Sequence, residues 1–155
     1  MNENMKEKIK NLIKLTFDDS RKVSGEANRE LCKICNDIIK KYYDIAKKYD
    51  RLYHEDVWEY YDPYCDNKIH TFDGYGYGET SDTLEFLYTD VDNCDNSFYM
   101  PIVWLDDDFL NTYEEYCKRL YIISLNDQIK RYEMNIKKYT ELKNKTLEKL
   151  KNVTV

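Results

Sequence analysis

Five of the six glycines and prolines in this 155-residue chain lie between Pro63 and Pro101. Outside that window Gly25 stands alone, so the two flanks carry little that would stop a helix, while the middle is punctuated by the residues that break one. A fold built on this chain is therefore expected to be long helix, then an interrupted strand-rich region, then long helix again.

Apolar spacing points the same way. In the first flank Leu31, Cys35, Ile38, Tyr42, Ile45, Tyr49 and Leu52 follow alternating steps of four and three, the spacing of a coiled-coil seam, and predict a helix from Glu26 to Tyr53. Upstream, Met5, Ile9, Leu12, Ile13 and Thr16 form a shorter stripe ended by the capping residues Asp18, Asp19 and Ser20. A short first helix and a turn between Asp18 and Gly25 are expected. In the last flank Tyr113, Cys117, Leu120 and Ser124, then Leu125, Ile129, Tyr132, Ile136 and Tyr139, mark one face, continued by Leu142, Thr146, Leu147 and Leu150. The run Asp106 to Asp108 marks where that helix begins, since carboxylates are favoured at the positive end of a helix dipole.

The middle changes period. Thr83 to Thr89 and Phe98 to Trp104 read as two strands joined by a turn-rich connection, and Ile69, Phe72, Tyr75 and Tyr77 as a third. Val57, Trp58, Tyr60, Tyr61 and Leu105 sit at the junctions and are expected to plug the space between sheet and helices. The fold class that follows is α+β: a long antiparallel, coiled-coil-like helical pair with a short third N-terminal helix, capped by a small antiparallel sheet inserted between them. It is read as one domain with a helical subregion at 1–56, an acidic β-rich insert at 57–108 and a helical subregion at 109–155.

Charge divides at nearly the same boundaries. From His54 to Leu110 there are fifteen acidic residues and one lysine, whereas residues 1–53 carry thirteen Lys or Arg against nine acids, and residues 111–155 ten against six. The formal net charge of -6 thus hides an insert of -14 between two flanks of +4. Aromatic residues make up 15% of the chain, which argues for a folded protein, because disordered acidic segments are poor in aromatics.

Several chemistries lack their signatures. The glycines of the Phe72 to Glu79 segment are surrounded by Asp73, Glu79 and Asp82 with no lysine, the reverse of a phosphate-binding loop. His54, Cys65, His70 and Cys94 are close in the chain without the paired spacing of a zinc site, and Cys32 with Cys35 has the spacing but lies in the seam. Asp90, Asp92 and Asp95 with Asn93 and Asn96 resemble the opening of a calcium loop without its glycine or closing glutamate, and read equally well as a turn. No cofactor is expected. The odd number of cysteines does not suggest a disulfide framework; no window is apolar enough for a membrane span; the first seventeen residues carry no secretory pattern; and the expected compartment is the cytoplasm.

The acidic insert remains as the candidate working surface. Its expected contact residues are the carboxylates Asp73, Glu79, Asp82, Glu85, Asp90, Asp92 and Asp95, interleaved with the aromatic anchors Tyr75, Tyr77, Tyr88 and Tyr99. The expected function is a non-enzymatic protein that engages and inhibits a basic, nucleic-acid-handling protein by presenting carboxylates in place of phosphates. Direct nucleic-acid binding is disfavoured for the insert by its charge. Heavy use of Asn, Lys, Ile and Tyr suits a phage or mobile element from an A/T-rich genome. Two other readings compete. One is a coiled-coil adaptor that joins subunits, as in a homodimer; the other is a small-ligand-binding protein or small enzyme with a Tyr, His and carboxylate pocket containing His54 or His70.

Overall fold

The computed structural model describes residues 3–54, 58–75 and 82–154. The chain is α+β: three α-helices and a small three-stranded antiparallel sheet set between the second and third of them. Its residues group into two compact units, Met1–Cys117 and Lys118–Val155.

In the first unit, α1 (Glu3–Thr16) packs on α2 (Arg21–Lys48), burying Ile9 and Ile13. The break falls at the capping residues: Asp18 Oδ1 accepts from Ser20 N at 2.9 Å, and the Ser20 hydroxyl accepts from Val23 N at 3.4 Å as the α2 N-cap. Gly25 was expected to belong to the turn. It lies inside α2 instead, because one glycine costs a helix only about 1 kcal/mol once the cap has set its start. The helix ends five residues short of Tyr53. Asp50 adopts a left-handed backbone (φ 56°), and Arg51 N returns to Ala46 O at 2.7 Å, closing the end as glycine more often does.

The sheet has the order β1 (Ile69–Tyr75), β2 (Thr83–Thr89), β3 (Asp95–Pro101). The third strand ends earlier than its apolar run suggested: from Ile102 to Leu105 the chain turns into a short 3-10 helix, and Trp104 belongs to that turn. Pro101 has no N–H to continue a ladder. Ile69, Phe72, Leu84, Phe86, Tyr88, Phe98 and Met100 form the inner face, fully part of the core. In β1 two register shifts leave His70 and Asp73 as extra residues, so the apolar side chains Ile69 and Phe72 reach the inner face from positions three apart.

The free edge of β1 is closed by two asparagines of α2. Asn36 Nδ2 donates to Ile69 O (3.0 Å) while its Oδ1 accepts from Ile69 N (3.2 Å), and Asn28 does the same with Phe72 O (3.4 Å) and Phe72 N (3.3 Å). Eight residues of helix advance about 12 Å and three of strand about 10 Å, so the two amides fall opposite the two strand residues. Each amide stands in for a neighbouring strand and removes the unpaired donors that make an edge prone to association. Asn36 Oδ1 also accepts from the fully buried Tyr61 hydroxyl (2.8 Å).

Trp104 is the hub of an aromatic cluster. It stacks on Tyr42 (centroids 4.1 Å apart, planes 2° apart) and on Trp58 (5.7 Å), with Phe98 and Tyr113 each at 6.3 Å. Of the expected plug, Trp58 and Tyr61 are buried and Leu105 packs against the core; Tyr60 is 58% exposed, and Val57 lies outside the described residues. Trp58 and Tyr61 take the space and turn the two residues between them outward.

The third helix, α3 (Asp107–Thr154), begins at the acidic run as expected, with Asp106 just before it paired to Lys6. Its first turns meet the second half of α2 and the residues just after it in parallel order: Tyr42 contacts Phe109 and Tyr113, Lys48 pairs with Glu114, Tyr49 at the C-cap donates to Glu114, and Arg51 beyond the helix end lies over Tyr116. Position advances together along both helices, so over these turns they run in the same direction where an antiparallel pair was expected. The inserted sheet accounts for this, since it brings the chain back beside the middle of α2 before α3 starts. The α2 stripe through Leu31, Cys35, Ile38 and Tyr42 is covered by α1, the sheet and the Trp104 cluster.

The second unit is the rest of α3. From Leu125 onward its apolar stripe is exposed, Ile129 at 52% and Ile136 at 66%, where the sequence pattern predicts a buried seam.

Candidate functional site

The carboxylates of the insert do not form one surface. Asp73, Tyr75 and Asp82 stand at the end of the sheet where Tyr75 pairs with Leu84, and Asp90, Asp92 and Asp95 at the opposite end, where β2 turns into β3. Seven strand residues at about 3.3 Å separate the two groups by roughly 20 Å. All of these except Asp90, which is half-buried, are exposed, as is Tyr99. Tyr77 and Glu79 lie outside the described residues.

Two of the expected contact residues are not on the surface. Tyr88 is 3% exposed, because it alternates onto the inner face and meets Tyr61 edge-on at 5.2 Å. Glu85, on the outer face, is 6% exposed; its Oε1 accepts from Ser97 Oγ (2.8 Å) and Tyr99 OH (3.4 Å), and its Oε2 has no hydrogen-bond partner among the described residues.

At the hairpin end, Asp90 builds the turn. Its Oδ1 accepts from Asp92 N and Cys94 N, both at 2.9 Å, its Oδ2 accepts from Asn96 Nδ2, and its backbone pairs with Cys94 O. Asn93 takes the left-handed position (φ 60°). The calcium-like spacing is thus an Asx turn whose carboxylate is occupied by protein donors. Asp90→Ala is expected to cost about 1–2 kcal/mol in urea denaturation, with Asp92→Ala within about 0.5 kcal/mol of wild type, since Asp92 uses only its backbone here. Equal losses would contradict the assignment.

Across the strands beside this turn runs a polar ladder. Thr89 Oγ1 donates to Asp95 Oδ1 (2.9 Å), and His70 Nε2 lies 3.2 Å from Thr89 Oγ1 and 3.4 Å from Asp95 Oδ1. His70 Nδ1 is 2.8 Å from Thr71 Oγ1, which leaves both ring nitrogens engaged. His70 also borders a concavity of about 680 Å³ lined by Arg29, Lys33, Lys40 and Lys68, a cationic wall with Asp37 as its one carboxylate.

The most distinctive site is a second concavity, of about 590 Å³, between the 59–67 segment and the β2–β3 turn. Glu59, Asp62, Asp66 and Asp90 line it with no Lys, Arg or His, and Tyr60 and Val91 stand at its walls. Asp62, like Asp90, is committed to its own turn: Oδ1 accepts from Tyr64 N (2.9 Å) and Oδ2 from Cys65 Sγ (3.2 Å). Glu59 and Asp66 are exposed and have no hydrogen-bond partner among the described residues. The structural carboxylates thus hold the walls, and the other two face solvent.

Reactive groups are muted. Hydrogen bonding to Asp62 raises the Cys65 thiol pKa, and burial pushes that of Cys32 up to about 12 and raises that of Cys35 as well, so none of the three is a ready thiolate at neutral pH. Tyr64, bonded to the Asp44 carboxylate, is pushed up to about 12. Among the described residues no group of three or more His, Cys, Asp or Glu is placed to hold a metal ion, and no helix is long and apolar enough to cross a membrane.

Glu59, Asp62, Asp66 and Val91 were not among the contact residues expected from the sequence. Their carboxylates belong to the same acidic run, but only the fold brings residues 59–66 against residue 90. The site's chemistry is that of an acidic cleft on an α+β scaffold. Compared with family models, curated proteins and solved structures, the chain matches none.

Proposed function

We propose that this is a non-enzymatic binding protein whose acidic cleft engages a basic protein of the kind that handles nucleic acid, and inhibits it by occupying its phosphate-binding side chains. The observation that carries the reading is the cleft lined, among the described residues, by four carboxylates and no cation, with Glu59 and Asp66 exposed. A lysine or arginine entering it meets negative potential on several sides, and the turn-bound Asp62 and Asp90 hold that potential in place without reorganising. Tyr60 and Val91, the latter 82% exposed, supply apolar area that charge alone lacks. Proteins built to grip phosphates present clustered lysine and arginine, which makes them the best-matched partners.

The test is capture of basic proteins from lysate by the wild type and by two charge-reversed variants. Glu59→Lys with Asp66→Lys is expected to reduce capture at least tenfold, with the thermal midpoint changed by no more than a few degrees. Asp73→Lys with Asp82→Lys, at the far end of the sheet, is expected to leave capture within about twofold, and wild-type capture is expected to weaken as salt rises. Undiminished capture by the first variant, or equal loss in both, would refute the cleft as the binding site.

A further inference from the structure

The second unit carries an apolar face that is exposed among the described residues. Beginning at Ile122 the sequence keeps a seven-residue repeat to the end of α3. One column holds Ile122, Ile129, Ile136, Lys143 and Leu150, and the column three residues on holds Leu125, Tyr132, Tyr139, Thr146 and Val153. These are the a and d positions of a left-handed coiled coil. Their large apolar members are 38% to 83% exposed.

We infer that this face is occupied by a second copy of the same chain, in a parallel, in-register two-stranded coiled coil over residues 122–153. The partner and its direction follow from the columns. Three isoleucines in succession at a, with Leu125 at the first d, match the two-stranded pattern of a parallel pair, in which a layers face each other, although Tyr132 and Tyr139 hold the next two d positions; a single Lys at a is a feature that fixes register at some expense in stability. In the parallel register each g residue faces the e residue five positions on in the partner. Gln128 then faces Glu133, Asn135 faces Thr140 and Lys149 faces Thr154, with no like charges opposed at these flanking positions; the Lys143 pair at a is the like-charge contact of the seam. Leu142 faces Leu147, which adds an apolar pair in the one stretch where the core columns turn polar, at Lys143 and Thr146.

Charge elsewhere on the helix agrees. Residues 118–155 hold ten Lys or Arg and four acids, but Lys130, Arg131, Lys137, Lys138, Lys145 and Lys151 all fall at b and c, away from the seam. The area is sufficient as well. Ten exposed large side chains per copy, each losing on the order of 80 Å², give about 800 Å² per partner, the scale of a stable interface. The inference is independent of the acidic cleft. Its consequence for that cleft is a bivalent molecule, in which two copies of the first unit are tethered through one interface.

The test is the mass of the purified full chain in solution by light scattering at 10–100 µM, and cross-linking of cysteine variants. The expected mass is twice 18.8 kDa. Ile129→Asp and Ile136→Asp, at exposed positions, are each expected to return it to the monomer value while the far-UV spectrum of the first unit is kept. In a background with the exposed Cys65 and Cys94 changed to Ser, Ile122→Cys and Leu150→Cys are each expected to form disulfide-linked dimers with themselves on mild oxidation. A monomeric wild type, or a trimer or larger, overturns the dimer. Cross-links that form only when the two cysteine variants are mixed overturn the parallel direction. Since the cleft is assayed by capture and this face by mass, either can fail without the other.

Discussion

Trp104→Ala is expected to destabilise the first unit by about 4 kcal/mol, measured by urea denaturation. Trp104 is only 9% exposed and touches four aromatic partners from four parts of the chain: Tyr42 on α2, Trp58 in the connecting segment, Phe98 on β3 and Tyr113 on α3. Deleting the indole removes its transfer energy and leaves a hole that rigid rings on several sides cannot close. The near-parallel stack on Tyr42 adds roughly 1 kcal/mol beyond area. Trp104→Phe, which keeps a ring in the stack, is expected to lose about half as much. Because Trp58 is held by this cluster and immediately precedes Glu59, the alanine variant is also expected to loosen the cleft wall and weaken capture. A loss below about 1 kcal/mol would mean that the ring is peripheral.

Asn36→Ala is expected to cost about 3 kcal/mol, nearly as much, from a side chain with no apolar payload. Removing the amide orphans Ile69 N, Ile69 O and the Tyr61 hydroxyl together, and both Ile69 and Tyr61 are buried. The matching cycle separates these terms. Tyr61→Phe alone is expected to cost about 1 kcal/mol, and less when Asn36 is already absent, since no acceptor then remains for the hydroxyl. Additive losses would show that Asn36 and Tyr61 act independently. With the edge of β1 reopened, the alanine variant should also aggregate at concentrations where the wild type stays clear in light scattering.

Neither residue stood out in the sequence, for different reasons. Trp104 ends an apolar run, Phe98 to Trp104, that reads as strand to its last residue; Pro101 was the cue that pairing stops, yet proline also occurs at strand edges, so the cue did not decide. Asn36 sits between the buried Cys35 and the exposed Asp37, where a polar residue ordinarily points to solvent. Its role depends on β1, thirty-three residues away, arriving alongside. The three strands, by contrast, were legible in outline, because Leu84, Phe86, Tyr88, Phe98 and Met100 alternate. Alternation also predicts that Tyr88 faces inward, although its aromatic character had placed it among the contacts.

The candidate site was legible as charge and not as geometry. Fifteen carboxylates in one stretch identified the acidic region, but counting cannot separate Asp90 and Asp62, which accept from their own turns, from Glu59 and Asp66, which face solvent. Nor can it show that Asp73 and Asp92 stand at opposite ends of a sheet.

The sequence by itself determined the helices, the strands and the phase of the exposed α3 stripe, since these follow from breakers and periodicity, which are local properties of the chain. Tertiary structure alone decided which stripe is spent inside the chain, which direction α3 takes beside α2, and which acids converge on one cleft. Those outcomes depend on contacts between residues far apart in sequence, and a stripe of four and three looks the same whether a sheet, a sister helix or a second copy covers it.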